Sequence, residues 1–476
     1  MTRLPERIGT APAALLLLAV GASCWRAWSW CAAAWFDPGY SHGGRYASLL
    51  AAIAMAASLA HARVVRLQTP WLAAAGIALL AFAAAYAHVP RPVAALLAAL
   101  ALSTAWLGVS RGASLAGRWG LAAVLPLSLP LGVGAELYAG FPLRLLATRA
   151  AAWALGPGVK ASGTALENGI QSVFVDAPCA GISMLDTALL LAAVAAAVVR
   201  ADALRTALLL VFAAVLAVFG NIARAALLYI VETNAGSASI SHDALGLAIF
   251  ATCCALLIAV LLRVPPERMF QPDSTPSGRY GGIPVSVAVS LLLVAGLVSA
   301  AATRTDIAWA ADRTAEPERE LAWPATWQGR VLELKPIDTA LETFLKNSPV
   351  QAREFTVQGA NELVLLRQAP GLTRSLHPSE TCFRGFGWQC SPRPAHRDAA
   401  GRLWSSFEAR RSDGSAVLVR EIYLAVPDSG VPASLDDLIA DASTWPDAGS
   451  WFWSALTRGT GRTLAITHTL PIHARD

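Results

Sequence analysis

Charge is scarce in this chain: only 14% of its 476 residues are Asp, Glu, Lys or Arg, whereas 55% are hydrophobic. These values exclude an ordinary soluble domain and are typical of polytopic membrane proteins. Lysine is nearly missing from the first 300 residues, and the formal net charge of +5 is small and spread out. No basic cluster of the kind that binds nucleic acid is present, so we expect no nucleic-acid partner.

Metal-site spacing is also missing from the seven cysteines. There is no CxxC pair and no Cys/His cluster with zinc spacing, so we expect no structural metal and no cofactor. A cleavable signal is not evident either. Arg3 and Arg7 precede an apolar stretch that is too long for a signal peptide and has no obvious cleavage site, so it is expected to remain as a span.

Long apolar runs are abundant, and about 20 residues are enough to cross the ~30 Å hydrocarbon core. The sequence predicts a helical bundle of eight spans, and a ninth span leading to an α+β domain. The predicted domains are 1–265 (transmembrane and catalytic), 266–303 (linker and ninth span) and 304–476 (extracytoplasmic). The predicted spans are 11–35, 45–62, 70–88, 91–109, 119–139, 179–199, 206–231, 242–262 and 283–302.

Positive charge indicates the orientation of these spans. With a cytoplasmic N-terminus, the loops assigned to the inside hold eleven arginines, from Arg3 to Arg279. The opposite loops, as far as residue 241, hold only Arg45, Arg91, Arg144, Arg149 and Lys160. This asymmetry predicts an inner-membrane protein whose 140–178 segment and C-terminal domain face the extracytoplasmic side.

Several segments outside the predicted spans have the sequence patterns of a surface helix or of β-strands. Residues 141–155 are amphipathic and predict a helix on the membrane surface, and 169–176 predict a short strand. After residue 303, charge rises and strand-like runs appear. These runs are VLEL (331–334), FTVQ (355–358), ELVLLR (362–367) and AVLVREIYLAV (416–426).

Cys179 follows Pro178 at the start of an apolar helix. Proline favours the first helical turn, and the exposed N–H groups there stabilise negative charge. A thiolate at such a position has a lowered pKa and is a better nucleophile. Gly181 permits close backbone approach, so amides of this turn are candidates for an oxyanion hole. The alternative interpretation is a small buried cysteine at a helix end.

Arg224 lies inside an apolar helix, where a charged side chain costs at least ~2.5 kcal/mol. Asn221, three residues earlier, shares its helix face and is a candidate to fix the guanidinium or bind substrate backbone. The alternative for Arg224 is snorkelling to the interface or a structural ion pair, with Glu232 or Asp176 as candidates.

His242 begins the next apolar helix and can accept a proton near physiological pH. Its neighbour Asp243 is expected to orient a different group, because adjacent helical residues do not face each other. Gly246, one turn later, leaves room for a close partner. The alternative is an interfacial, helix-capping histidine. Together, a thiol, a guanidinium and an imidazole at one membrane face favour a cysteine acyl-transferase.

This constellation resembles the exosortase/archaeosortase family of membrane cysteine transpeptidases. The matching motifs are Cys179-Ala-Gly-Ile for C-[SA]-G-hydrophobic, Asn221-Ile-Ala-Arg224 for N-x-x-R, and His242-Asp-Ala-Leu-Gly246 for H-D-x-x-G. One departure is that Asp176 lies three residues before the cysteine, and Ala177 stands where relatives often have Glu.

The resemblance implies cleavage of C-terminal sorting signals on exported proteins: a motif such as Pro-Glu-Pro, a transmembrane helix and a basic tail. It implies that Cys179 forms a thioester, His242 transfers protons and Arg224 stabilises the oxyanion. A glycan or lipid-linked molecule is a candidate acceptor. The alternative function is a non-enzymatic component of exopolysaccharide assembly or export, in which Arg224 and His242 line a polar pathway.

A second resemblance covers roughly residues 305–470. His377-Pro-Ser-Glu380-Thr-Cys382, followed by Gly387-Trp388, resembles the H-x-x-E-x-C…GW signature of a domain associated with exosortases in exopolysaccharide loci. In an oxidising compartment, Cys382 and Cys390 are expected to be able to form a disulfide. The alternative is a second catalytic pair, Cys382 with His377. Trp388 is a candidate binding platform or, alternatively, a core residue.

Overall fold

The computed structural model describes two compact units, which we treat separately. The N-terminal unit comprises Met1–Leu143 and Ala177–Asp306, and the C-terminal unit comprises Arg144–Asp176 and Ile307–Asp476. The described residues within them are 7–36, 43–62, 65–111, 116–169, 171–175, 181–234, 242–261, 263, 296, 323–336, 350–369, 376–411, 413–426, 434–458 and 462–472.

The N-terminal unit is helical, with one short antiparallel ribbon of β1 (Arg7–Ile8) and β2 (Val65–Arg66). Its first helices follow the predicted apolar runs closely: α1 (Thr10–Ser23), α2 (Trp25–Phe36), α3 (Gly43–His61), α4 (Thr69–Ala85) and α5 (Arg91–Val109). The later helices are α6 (Arg118–Leu127), α7 (Gly132–Ala135), α9 (Ile182–Val198), α10 (Ala203–Asn234) and α11 (His242–Leu261).

Three helices in the described part of the chain are long and apolar enough to cross a membrane. They are Arg91–Val109, Ala203–Thr233 and Ala244–Leu261, and the bent pair α1–α2 is a fourth candidate. Thr69–Ala85 and Ile182–Val198 are apolar but shorter. The predicted membrane-like helical region is therefore confirmed, whereas its count of eight spans is not. The predicted ninth span, 283–302, lies outside the described residues apart from Gly296.

The first predicted span, 11–35, is divided at Cys24, where α1 and α2 meet at 71°. Gly21 and Ser23 precede the break, and glycine and serine are frequent at sharp helix kinks. The indole of Trp28 also donates a hydrogen bond to the Gly21 carbonyl, at 3.2 Å. This side-chain contact stabilises the bend in a way that hydropathy does not reveal.

The predicted span 119–139 is also interrupted. Helix α6 contains Pro126 and ends at Leu127, and Pro130 lies in the break that follows. Proline removes a helical hydrogen bond and disfavours a helical conformation in the residue before it. The chain resumes as α7 and then as a π-helical turn, Glu136–Gly140.

Small side chains pack helices α9 and α10 together. Their shared core is mostly alanine at helical spacing, which lets two backbones approach closely without side-chain interlocking. Two leucines of α11 complete this core. The buried residues are Ala188, Ala192, Ala196, Ala201, Leu209, Ala213, Ala217, Leu257 and Leu261.

A helix and a three-stranded sheet occupy the segment before the Cys179 motif. Helix α8 spans Phe141–Leu155, which confirms the predicted helix. Strands β3 (Lys160–Ser162), β4 (Ala165–Glu167) and β5 (Ser172–Phe174) then form an antiparallel sheet. Strand β5 confirms the short strand predicted within 169–176.

The C-terminal domain is built on one nine-stranded sheet in the order β10-β11-β12-β14-β9-β8-β7-β6, with β13 paired to β12. The four predicted strand-like runs fall in β7, β8, β9 and β12. The strands are β6 (Thr326–Trp327), β7 (Arg330–Lys335), β8 (Gln351–Val357), β9 (Leu363–Ala369), β10 (Gln389–Arg397), β11 (Leu403–Arg410), β12 (Ala416–Ala425), β13 (Thr444–Trp445) and β14 (Thr463–Pro471).

Among the described residues of this domain, three short helices accompany the sheet: α12 (Ser379–Gly385), α13 (Leu435–Asp441) and α14 (Ala448–Arg458). Leu435, Leu438 and Ile439 of α13 join the main apolar core, which also contains Trp327 and Trp404. The signature residues His377 to Trp388 lie between β9 and β10, on and around α12.

Candidate active site

The first contact of the candidate site joins the cysteine motif to the N-x-x-R motif. Gly181 precedes α9 with a left-handed φ of 78°. A Cβ at this position would lie 2.8 Å from Cγ and 2.9 Å from Nδ2 of Asn221, which is buried. Glycine is needed here for both its backbone angle and its lack of a side chain. The amide of Asn221 therefore packs directly against the start of α9.

The second contact joins the N-x-x-R motif to the H-D-x-x-G motif. A Cβ at Gly246 would lie 3.1 Å from Cζ, 3.2 Å from Nε and 3.3 Å from Nη2 of Arg224. The guanidinium group thus lies against the bare backbone of α11. The structure therefore brings together Gly181 with Asn221, and Arg224 with Gly246, so that residues of three different motifs meet in pairs.

Two further residues in this region were missed by sequence reasoning. A Cβ at Gly220 would clash with Met184 of α9 and lie 2.9 Å from Sγ of Cys253 in α11, so three helices meet there. Asp186 is a half-buried carboxylate within α9. Each had a sequence signal: a glycine beside Asn221, and an acidic residue in an apolar helix. Cys253 is buried, and its thiol lies 3.6 Å from the Leu216 carbonyl, which agrees with a packing role.

The remaining predicted site residues are only partly covered by the structure. Cys179 and Asp176 lie outside the described residues. Helix α11 begins at His242, followed by Asp243, but the side chains of these two residues are also outside the described part. Their roles remain predictions.

The helices that form these contacts lie in a region that matches a known protein family. Residues 25–259 match the family described as transmembrane exosortase. This match supports the exosortase family. All three motifs lie inside the matched exosortase region, whereas the C-terminal domain lies outside it. No curated protein and no solved structure matches the chain.

The exosortase family is a cysteine transpeptidase family that acts on exported proteins with C-terminal sorting signals. The helices that carry the motifs, α9, α10 and α11, all fall within or at the end of the matched exosortase region. The contacts at Gly181 and Gly246 thus lie between elements of one family-matched region.

A polar network holds the C-terminal signature in place. Nε2 of His377 lies 3.0 Å from Sγ of Cys382. The carbonyl of His377 accepts hydrogen bonds from Arg367 at 2.9 Å and from the Tyr423 hydroxyl at 3.2 Å. Burial raises the pKa of the Cys382 thiol, and the nearby guanidinium of Arg367 opposes this rise. Because burial favours the protonated thiol, this contact agrees with a structural role for Cys382.

The network is centred on a buried ion pair across strand β14. Nη2 of Arg367 lies 2.6 Å from Oε1 of Glu421, and both side chains are almost fully buried. The same oxygen accepts from the backbone N–H of Ser379 at 3.1 Å, at the start of α12. Burial raises the pKa of Glu421, while the Arg367 guanidinium opposes the rise. The pair thus fixes the chain on both sides of Pro378.

The other signature residues brace the end of α12. Oε1 of Glu380 accepts from Nε of Arg384 at 2.8 Å and from its Nη2 at 2.7 Å. Nη2 also donates to the Cys390 carbonyl at 2.8 Å. Trp388 packs edge-on against Phe383, with ring centroids 5.4 Å apart. This contact supports the core alternative for Trp388.

The disulfide that Cys382 and Cys390 could form is absent from the structure, where both are free cysteines. The reason is that their thiols have different neighbours. Cys382 contacts His377, whereas the Cys390 thiol lies 4.0 Å from the Trp388 carbonyl within a small hydrophobic cluster.

Glu421→Gln should destabilise the C-terminal domain by about 3 kcal/mol or more, because it leaves the Arg367 guanidinium buried without a counter-charge. Glu354→Gln, which removes the exposed pair with Lys335 at 3.3 Å, should cost about 1 kcal/mol or less. Tryptophan fluorescence during denaturant unfolding of the full chain in detergent measures both. Equal losses of unfolding free energy in the two variants would show that the buried pair stabilises the domain no more than the exposed pair does.

Proposed function

We propose that this protein is a membrane cysteine transpeptidase that cleaves the C-terminal sorting signals of exported proteins. The observation that carries the proposal is the pair of contacts of α10, with Asn221 against Gly181 and Arg224 against Gly246. Three motifs that are far apart in sequence thereby meet around one polar stretch of an apolar helix. Polar residues inside apolar helices are expensive and mark functional sites.

The chain positions of Cys179 and His242 agree with this arrangement. Cys179 precedes Gly181 by two residues, and His242 precedes Gly246 by one helical turn. Residues one turn apart share a helix face. The nucleophile and the proton-transfer group are therefore attached next to the two glycines that contact Asn221 and Arg224.

In the proposed reaction, the Cys179 thiolate attacks the carbonyl carbon of the scissile peptide. Arg224 stabilises the oxyanion of the tetrahedral intermediate. His242 protonates the leaving amine as the C–N bond breaks, which leaves a thioester on Cys179. His242 then takes a proton from the acceptor nucleophile, whose attack on the thioester breaks the C–S bond, releases the product and restores the Cys179 thiolate beside a protonated His242.

Charge asymmetry between loops supports an inner-membrane location with the site and the C-terminal domain on the extracytoplasmic side. The substrate would carry a short motif such as Pro-Glu-Pro, one span and a basic tail, so the bilayer holds it beside the enzyme. A glycan or lipid-linked acceptor would connect the reaction to envelope or exopolysaccharide biogenesis.

Mass spectrometry of a co-expressed tethered substrate tests the proposal. We expect the intact substrate when it is expressed alone, and a shortened form when the protein is present. An added mass at the new C-terminus identifies transfer to an acceptor, whereas a free carboxylate identifies hydrolysis and contradicts transpeptidation. An intact substrate in both samples, with folded protein present, would contradict the enzymatic function and favour a non-enzymatic export component.

A further inference from the structure

The turn between β3 and β4 lies against the loop that follows α12. In this turn, the backbone N–H and the hydroxyl of Thr164 lie 3.3 and 3.4 Å from the Gly385 carbonyl oxygen. A Cβ on Gly163 would clash with the Arg384 carbonyl oxygen and lie 2.7 Å from that of Gly385. A Cβ on Gly387 would lie 2.6 Å from Oγ of Ser162. The bare backbone of Gly163 therefore meets the 384–385 backbone, and the bare backbone of Gly387 meets the Ser162 side chain.

Thr164 makes contacts in two directions. Its N–H and hydroxyl face Gly385, while its own carbonyl accepts a hydrogen bond from the N–H of Val175 at 2.8 Å. Thr164 and Val175 are both buried. A single residue thus connects the C-terminal domain to the end of the strand that leads towards Cys179.

The chain between this anchor and the proposed nucleophile is short. Val175 and Cys179 are four residues apart, so even a fully extended chain separates their Cα atoms by at most about 14 Å. Cys179 therefore lies within this distance of Val175, whatever the course of the three residues between them.

The loop on the other side of the contact is braced. Arg384 is held by Glu380 and by the Cys390 carbonyl, as described above. Gly387 has a left-handed φ of 81°, and its N–H donates to the Arg384 carbonyl at 3.2 Å. The H-x-x-E-x-C…GW residues thus build a fixed backbone surface for the 163–164 turn.

We infer that the C-terminal domain positions the Cys179 segment through Thr164, which is a positioning residue rather than a catalytic one. The inference rests on the proposed role of Cys179 as the nucleophile. It also assigns a role to the C-terminal signature, because the buried network and braced loop of that signature hold the β3–β5 sheet. The sheet in turn holds the chain that enters the active site.

Two glycines of the same sheet provide a matched test. Gly163 and Gly169 both have left-handed φ, 60° and 86°, so alanine is strained at either position. Only at Gly163 would the new Cβ meet the loop, because nothing lies within 4 Å of a Cβ at Gly169. Gly163→Ala should lower kcat for the tethered substrate by about tenfold to hundredfold with KM unchanged, because small displacements of reacting groups are costly. The kcat of Gly169→Ala should stay within about twofold of the wild-type value, because its new Cβ displaces no neighbouring group.

A second readout does not depend on turnover. We expect iodoacetamide to alkylate Cys179 about threefold to tenfold more slowly at pH 7 in Gly163→Ala, because a displaced thiolate loses its stabilising surroundings. Peptide mass spectrometry measures this rate per folded molecule. Thr164→Val, which removes only the hydroxyl contact, should show the same trend in kcat and alkylation, and Thr164→Ser should restore both.

The two readouts separate the two proposals. If the wild type does not process the substrate, the proposed function fails, and the alkylation rates still decide whether the turn positions Cys179. If Gly163→Ala and Gly169→Ala change both readouts equally, or if Thr164→Val matches the wild type in both, the positioning inference is overturned.

Discussion

Cys179→Ala should leave the protein folded and stop processing of the tethered substrate. Without the thiol no thioester can form, and removing a nucleophile from an acyl-transfer site commonly costs at least about 10³-fold in kcat. The measurement is the amount of shortened substrate, determined by mass spectrometry with equal amounts of membrane-inserted enzyme. The loss should fall on kcat, because the substrate's span and basic tail still bind.

Cys254→Ala is the matched control for this result. Cys254 is a half-exposed cysteine in helix α11, within the same unit. Its replacement should leave processing within about twofold of the wild type, because an isolated substitution away from the site has small effects. Normal processing by Cys179→Ala would remove the central chemical claim, whatever the behaviour of the control.

Arg224→Lys should fail nearly as badly as Arg224→Ala, with kcat lower by about 10²-fold to 10³-fold in both variants. The guanidinium lies along the bare backbone at Gly246, with Nε, Cζ and Nη2 all close to it. A lysine ammonium is a single charged point on a flexible stem and cannot reproduce this planar fork. Processing assays at saturating substrate measure the effect.

Arg205→Lys provides the control in the same helix. Arg205 forms an exposed ion pair with Asp202 at 3.4 Å, three residues away. Exposed pairs contribute at most about 1 kcal/mol, so this substitution should leave processing unchanged. Near-wild-type activity of Arg224→Lys would show that Arg224 acts as a charge anchor and not as an oxyanion ligand.

The sequence predicted the helices well because apolar runs and helix length are local properties. It also named Gly181, Asn221, Arg224 and Gly246 as candidates and left room for a close partner at both glycines, but it did not predict which residues meet there. It did not predict the break at Cys24, because that bend depends on a glycine and a side-chain contact from Trp28. Pro126 and Pro130 indicate the break within the predicted span 119–139, but the prediction relied on hydropathy, which stays high across both prolines.

The C-terminal network was less accessible to sequence reasoning. Arg367 and Glu421 are 54 residues apart, and only the strand order β12-β14-β9 brings them together. The contact between Thr164 and Gly385 spans 221 residues. The alternation of apolar and polar residues predicts which face of a strand is apolar. It does not predict which distant segment of backbone packs against a glycine turn. The sequence likewise left the bonding of Cys382 and Cys390 open, because spacing alone does not fix where two thiols point.

The contact at Gly163 has a consequence for the evolution and dissection of this chain. The β3–β5 sheet lies within the stretch matched by the exosortase family, yet it folds with the C-terminal domain. A protein cut before residue 304 would deprive Thr164 of the Gly385 carbonyl and leave Gly163 facing solvent. If the gene were split at that point, the two polypeptides would therefore have to associate, and the Gly163 turn would form part of their interface.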